Sequence, residues 1–156
     1  MSDFTKVRTC LWFDQAGEDA INFYVGLVAG SEIESVSRQT PDGPAMVIDF
    51  SLGGTPYMAL NAGPQFKHTP AASICVTTQD QAETDRLWNA LTSGGGTEGQ
   101  CGWLTDRWGL SWQIVPRQLL AYMNSADREA AGRVQKSMLE MKKIDVYALE
   151  AAFLMQ

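Results

Sequence analysis

The chain has 156 residues, about the length one compact domain needs to bury a continuous core. Its 45 % hydrophobic and 19 % charged residues are those of an ordinary globular protein, which sets aside disorder and a membrane-embedded body. Eighteen acidic against twelve basic side chains give a formal charge of −6, which repels phosphate backbones and anionic headgroups and argues against nucleic-acid and membrane partners.

The opening "MSDFTKVRTCLWFD" holds no apolar stretch of signal-peptide length. Cys10, Cys75 and Cys101 form neither an even framework nor a C-x-x-C, so reduced thiols and a cytoplasmic location are expected. Residues 6–13 read as a strand, and Asp14 is placed to cap a helix running to about Val28, with Ala20, Phe23, Tyr24 and Leu27 on one face. Strands follow at about 32–39, 45–52 and 56–61, separated by the turn sequences "TPDGP" and "GGTP". After the connector "NAGPQFKHTP" the order restarts: a strand over 71–78, then a helix that Asp80 caps with Glu83 at the capping-box position and Thr84, Leu87, Trp88 and Leu91 inside. A Gly-rich stretch, "SGGGTEGQCG", leads to Trp103-Leu104, a turn at "TDRWG" and a strand over 110–115. Beyond Pro116, "RQLLAYM" and "SADREAAGRVQKSMLEMKK" predict helices, the second capped by Ser125 with Val134, Ser137, Met138 and Met141 on one stripe. Asp145 caps a last helix, with Ile144 and Leu149 at the positions of a hydrophobic staple.

The same β-α-β-β-β order thus occurs twice, over about 5–61 and 71–116, followed by a helical extension over 117–156. Strand parity assigns two faces to each module. Leu11, Phe13, Met46, Ile48, Phe50, Tyr57, Ala59, Ile74, Val76, Trp112 and Ile114 form the core face. The other face collects Arg8, Cys10, Trp12, Asp49, Ser51, Met58, Leu60, Ser73, Cys75, Thr77, Ser111, Gln113 and Val115, apolar walls with a few polar groups that suit a small-molecule site or a sheet face exposed to water. The C-terminal helices carry apolar stripes on top of a finished two-module core, and are expected to lie over a cavity mouth or against a second subunit.

The segments "LWFDQAGEDAINFY", "YMALNAGP", "CGWLTDRWGLSWQIVP" and "MKKIDVYALEAAF" resemble the PhnB-like branch of the vicinal-oxygen-chelate superfamily, over about residues 7–153. The resemblance implies an α+β fold in which paired β-α-β-β-β modules form an open curved barrel of the glyoxalase type, with the C-terminal helices added. It also implies where a metal would sit. Metal-dependent relatives use a His or Gln on the first strand and a Glu on the last strand of a module. Those positions fall on Arg8 and Ser73, and on Gln113 and Met58, with Ala59 or Asn61 as alternatives to Met58. An arginine, a thioether and a serine are poor ligands for a hard divalent cation, so no metal and no cofactor is expected. The single histidine, His68, lies in the connector and reads as a solvated turn residue. Relatives of this branch are often labelled 3-demethylubiquinone-9 3-methyltransferase, but "GGG" at 94–96 follows a helix and precedes a strand, the reverse of the usual nucleotide-donor turn.

Two functions from different classes follow. One is a metal-free protein that binds a small molecule through Arg8, Cys10, Trp12, Asp49, Met58, Ser73, Cys75, Trp103 and Gln113, with Arg8 selecting an anionic or carbonyl group. The other is an isomerase, lyase or transferase of the same superfamily, working either with an adventitious metal or by acid–base chemistry through Asp49 or the cysteines. A homodimer using residues 117–153 is expected in either case.

Overall fold

The computed structural model describes residues 4–155. The chain divides into two compact units, the first ending at His68 and the second beginning at Thr69.

In the first unit, β1 (Thr9–Phe13) leads to α1 (Gly17–Leu27), then to β2 (Glu32–Arg38), β3 (Ala45–Leu52) and β4 (Thr55–Asn61). The sheet order is β1-β4-β3-β2, with β1 parallel to β4 and the rest antiparallel. The β3–β4 hairpin turns on Gly53-Gly54, both at positive φ, the conformation a two-residue turn needs to match the strand twist. Leu11, Phe13, Ile48, Phe50 and Ala59 are buried with Ala20, Ile21 and Tyr24 of α1, as parity requires. Met46 departs from that expectation: it lies near the start of β3 and is 36 % exposed, while its neighbour Ala45 is buried. Asp14 does not cap α1. The helix opens at Gly17, whose N–H donates to Asn61 Oδ1 across the unit at 2.8 Å, and Asn61 Nδ2 donates to the Ala45 carbonyl.

The second unit repeats the order with β5 (Ser73–Thr78), α2 (Gln81–Thr92), β6 (Thr97–Glu98), β7 (Trp103–Thr105) and β8 (Ser111–Pro116). Its sheet order, β5-β8-β7-β6, matches the first, with β5 parallel to β8. The two-residue β6 inside the Gly-rich stretch completes the repeat. Asp80 caps α2 by accepting from Glu83 N–H, and Glu83 reaches back to the N–H of Gln79, one residue outside the usual box. Asp106, only 3 % exposed, organises the β7–β8 turn. Its Oδ1 accepts from the Trp108 and Leu110 N–H groups and its Oδ2 from Trp112 Nε1, so the buried carboxylate and the buried indole satisfy each other.

Three helices follow in the same unit: α3 (Arg117–Met123), α4 (Arg128–Leu139) and α5 (Val146–Leu154). Asp127 rather than Ser125 caps α4; the Ser125 hydroxyl accepts from the Asp127 N–H instead. Asp145 caps α5 as expected, and Ile144 and Leu149 are both fully buried beside it. Leu119, Val134, Ile144 and Leu149 form a cluster with Val115, Tyr122, Met138, Met141 and Phe153 around it. The inner faces of these helices are therefore filled by one another and by the unit that carries them, while Tyr147 and Leu154 of α5 stay exposed. Gln81 of α2 holds the segment before α5, donating to the Ile144 carbonyl and accepting from the Val146 N–H. The N–H groups of Cys101 and Gly102 donate to the carbonyls of Met141 and Lys142. No helix among the described residues is long and apolar enough to cross a membrane.

Candidate functional site

Register places the mixed face of the first unit residue by residue. Cys10, Met58, Asp49 and Ser35 form one row across the four strands, and Trp12, Leu60, Val47 and Ser37 the next. A bulge between Ile33 and Ser35 inserts Glu34, and Glu34 forms an ion pair with Arg8, which stands just before β1. Arg8 Nη1 also donates to the carbonyls of Tyr57, at 3.1 Å, and Phe50, at 3.3 Å. The guanidinium is thus neutralised and tied down; its pKa is raised, first by the hydrogen bond to Glu34. Parity found Arg8 on this face but gave no sign of Glu34, because the bulge breaks the alternation that parity depends on. Asp49 accepts from the Ser35 hydroxyl at 3.2 Å.

At the other end of this face Trp12 donates its indole N–H to the Gly63 carbonyl at 2.9 Å, which leaves the ring available for packing. Phe66, from the connector, meets it edge-on with ring centroids 4.9 Å apart and is itself 66 % exposed. Phe66 is a neighbour of the candidate site that the sequence pattern missed, since connectors carry no parity. His68, read as a solvated turn residue, is half-buried and packs edge-on against Phe13 at 5.3 Å.

On the second unit the corresponding row is Cys75, Gln113 and Trp103. Gln113 Nε2 donates to the Ser73 hydroxyl at 2.9 Å, so the amide points along its own sheet and its oxygen remains as an acceptor. Cys10 pairs with Met58 in the first sheet as Cys75 pairs with Gln113 in the second, which makes Met58 the counterpart of Gln113. Ala59 is buried in the core and Asn61 is engaged at the start of α1, so neither is an alternative. Val115, expected on this face, packs against the C-terminal cluster.

The chemistry of these donors decides what they can hold. A divalent cation wants several carboxylate, imidazole or thiolate groups around one point. Among the described residues no three His, Cys, Asp or Glu side chains come together in that way. Met58 and Gln113 supply a thioether and one amide oxygen, and Arg8 is an ion-paired cation. The residues do not fit a metal. Partial desolvation pushes the thiols of Cys10 and Cys75 above their ordinary pKa, which keeps them protonated and weakly nucleophilic. A methyl donor of the nucleotide type is no better served. Gly17 N–H at the head of α1 is taken by Asn61, and the head of α2 is filled by the carboxylates of Asp80 and Glu83.

A sequence profile for 3-demethylubiquinone-9 3-methyltransferase matches residues 5–115. The chain belongs to that family. A PhnB protein of Bacillus cereus bearing the same methyltransferase name is 31 % identical, with a TM-score of 0.66 over 72 % of this chain and 99 % of that one. A protein of Pseudomonas aeruginosa is 22 % identical, with a TM-score of 0.60 over 72 % and 98 % of the two chains. A glyoxalase/bleomycin resistance protein of Albidiferax ferrireducens is 14 % identical, with a TM-score of 0.50 over 70 % and 96 %, and shares the fold. No curated protein matches. This member of the PhnB-like family therefore has the α+β architecture of the vicinal-oxygen-chelate superfamily, with two four-stranded mixed sheets. Helices α3 to α5 lie outside the family match.

Proposed function

We propose that this PhnB-like chain binds a small organic molecule on its mixed sheet faces and does so without a metal ion. The observation that carries the reading is the donor set. The positions that the superfamily resemblance matches to ligands of metal-using relatives are Arg8, Met58, Ser73 and Gln113, of which Arg8 is ion-paired with Glu34 and Ser73 is bonded to Gln113. What these faces offer is aromatic surface at Trp12 and Trp103, soft apolar contact at Cys10, Cys75 and Met58, and isolated hydrogen-bonding groups at Asp49 and Gln113, a composition suited to recognition. The methyltransferase name is left aside on the same grounds, since both strand-to-helix junctions are capped by the chain's own side chains. Three free cysteines support a reducing, cytoplasmic setting, and exposed apolar side chains on α5 support a homodimer.

Native mass spectrometry and elemental analysis of protein purified without chelator test the proposal. The expected result is a non-covalently bound small molecule or an empty chain, with divalent ions well below one per chain. One Zn²⁺, Ni²⁺, Mn²⁺ or Fe²⁺ per chain, lost on Gln113→Ala, would overturn it.

A further inference from the structure

Charge on the face of the first unit does not balance. It sets the cation Arg8 against the carboxylates of Glu34, Asp49 and, opposite Ser51, Glu32; Arg8 is ion-paired with Glu34, and among the described residues no Lys, Arg or His forms an ion pair with Asp49. Among the described residues, the side-chain hydrogen bond to the Asp49 carboxylate comes from the Ser35 hydroxyl. Asp49 lies on the same face as Trp12, two strands and two residues away, which puts their Cα atoms about 12 Å apart. Between them lie the side chains of Met58 and Leu60, and Phe66 stands beyond Trp12.

We infer that this face takes a flat or amphipathic organic cation, with its ammonium or amidinium group at Asp49 and its aromatic or apolar body across Met58 and Leu60 to Trp12 and Phe66. The inference rests on the small-molecule reading above and narrows it to a ligand class. A ligand lying here removes water from the carboxylate, and only a guest that brings its own N–H donors or positive charge makes good that loss. Aromatic faces and a thioether also favour a cation over an anion, through the ring quadrupole and the polarisable sulfur. An anion would meet a carboxylate, and Arg8, whose charge also reaches Asp49, is already held by Glu34 and by the carbonyls of Phe50 and Tyr57. The formal charge of −6 on the whole chain raises the local concentration of cations in the same sense.

The experiment titrates the full chain with three probes that share one ring system: naphthylmethylammonium, naphthylmethanol and naphthoate, read by calorimetry. The cation should bind about tenfold or more tighter than the alcohol, with the carboxylate weakest. Asp49→Asn, nearly isosteric, should erase the preference for the cation and leave the alcohol unchanged, while Trp12→Leu should weaken all three. Equal binding of the three, or tightest binding of naphthoate, would sink the cation inference and leave a binding face in place. Absence of binding by any probe, or binding unaffected by Trp12→Leu, would remove the face itself and the proposal with it.

Discussion

Asn61 shows how a side chain that looks like a ligand candidate in sequence is committed to architecture. Its carboxamide accepts from Gly17 N–H at 2.8 Å and donates to the Ala45 carbonyl at 2.9 Å, so it joins the head of α1, the end of β4 and the start of β3. A Cβ on residue 17 would collide with Asn61 Oδ1. Gly17→Ala should therefore cost about 1–3 kcal/mol by displacing the carboxamide, and Asn61→Ala a similar amount by leaving both backbone groups unpaired. The double variant should cost much less than the sum, because alanine at 61 leaves nothing for the new methyl to strike. Denaturant unfolding of the four proteins checks this, and additive losses would contradict it. Other residues split by the same logic. Asp80 and Asp145 were legible as caps because a cap depends only on its next few residues. Glu34, Phe66 and the true partner of Gln113 were not, since a bulge, a connector and a cross-strand hydroxyl lie outside local pattern.

At the scale of elements, the segment between α4 and α5 is fastened to α2 and to β6 partly through charge. Lys143 pairs with Asp85 at 2.7 Å, and Lys142 lies 3.6 Å from Glu98. Lys143 and Gln81 hold the Asp85 carboxyl below its ordinary pKa, and the Trp88 indole, followed by Lys142, does the same for Glu98. A carboxyl lowered on folding contributes stability that is present above its unfolded pKa and is lost as pH falls through the folded one, so the window opens near pH 4 and extends downward. Replacing Lys142 and Lys143 together by Met should lower Tm by no more than about 2–4 °C at pH 7, because both pairs are solvent-accessible. The difference should fade below about pH 4, where the carboxyls protonate in either protein. Parallel melts from pH 3 to 7 measure it, and a difference that persists at the acid end would assign the effect to packing of the lysine stems. Strand β6 shows the limit of sequence at this scale: two residues, Thr97 and Glu98, among glycines carry no period to read, and their pairing with Leu104 and Thr105 is set by the sheet.

For the whole molecule, the repeat was the most legible feature, because two strand orders of the same kind need only the sequence of elements to be right. Assembly was not legible in that way. The apolar stripes on α3 and α4 suggested a lid or a subunit contact, and they are filled within the second unit, where Leu119 and Val134 pack with Ile144 and Leu149. Helix α5 is different. Its sequence, VYALEAAFL, is apolar nearly all round, and a helix of that kind is ordinarily covered on every side. Leu149 is buried, yet Tyr147 is 71 % and Leu154 67 % exposed, seven positions apart and so on one outer stripe with Ala151 between them. A second copy covering this stripe would meet Glu150 on α5 and Lys136 on α4, charges of both signs that a two-fold contact can pair. The 156-residue chain is accordingly expected to sediment as a dimer at micromolar concentration. Tyr147→Lys with Leu154→Glu should give a folded monomer with an unchanged circular dichroism spectrum, since neither side chain belongs to the buried cluster. A stable monomer of the unmodified chain, or a dimer that survives both substitutions, would place the subunit contact away from α5 or remove it.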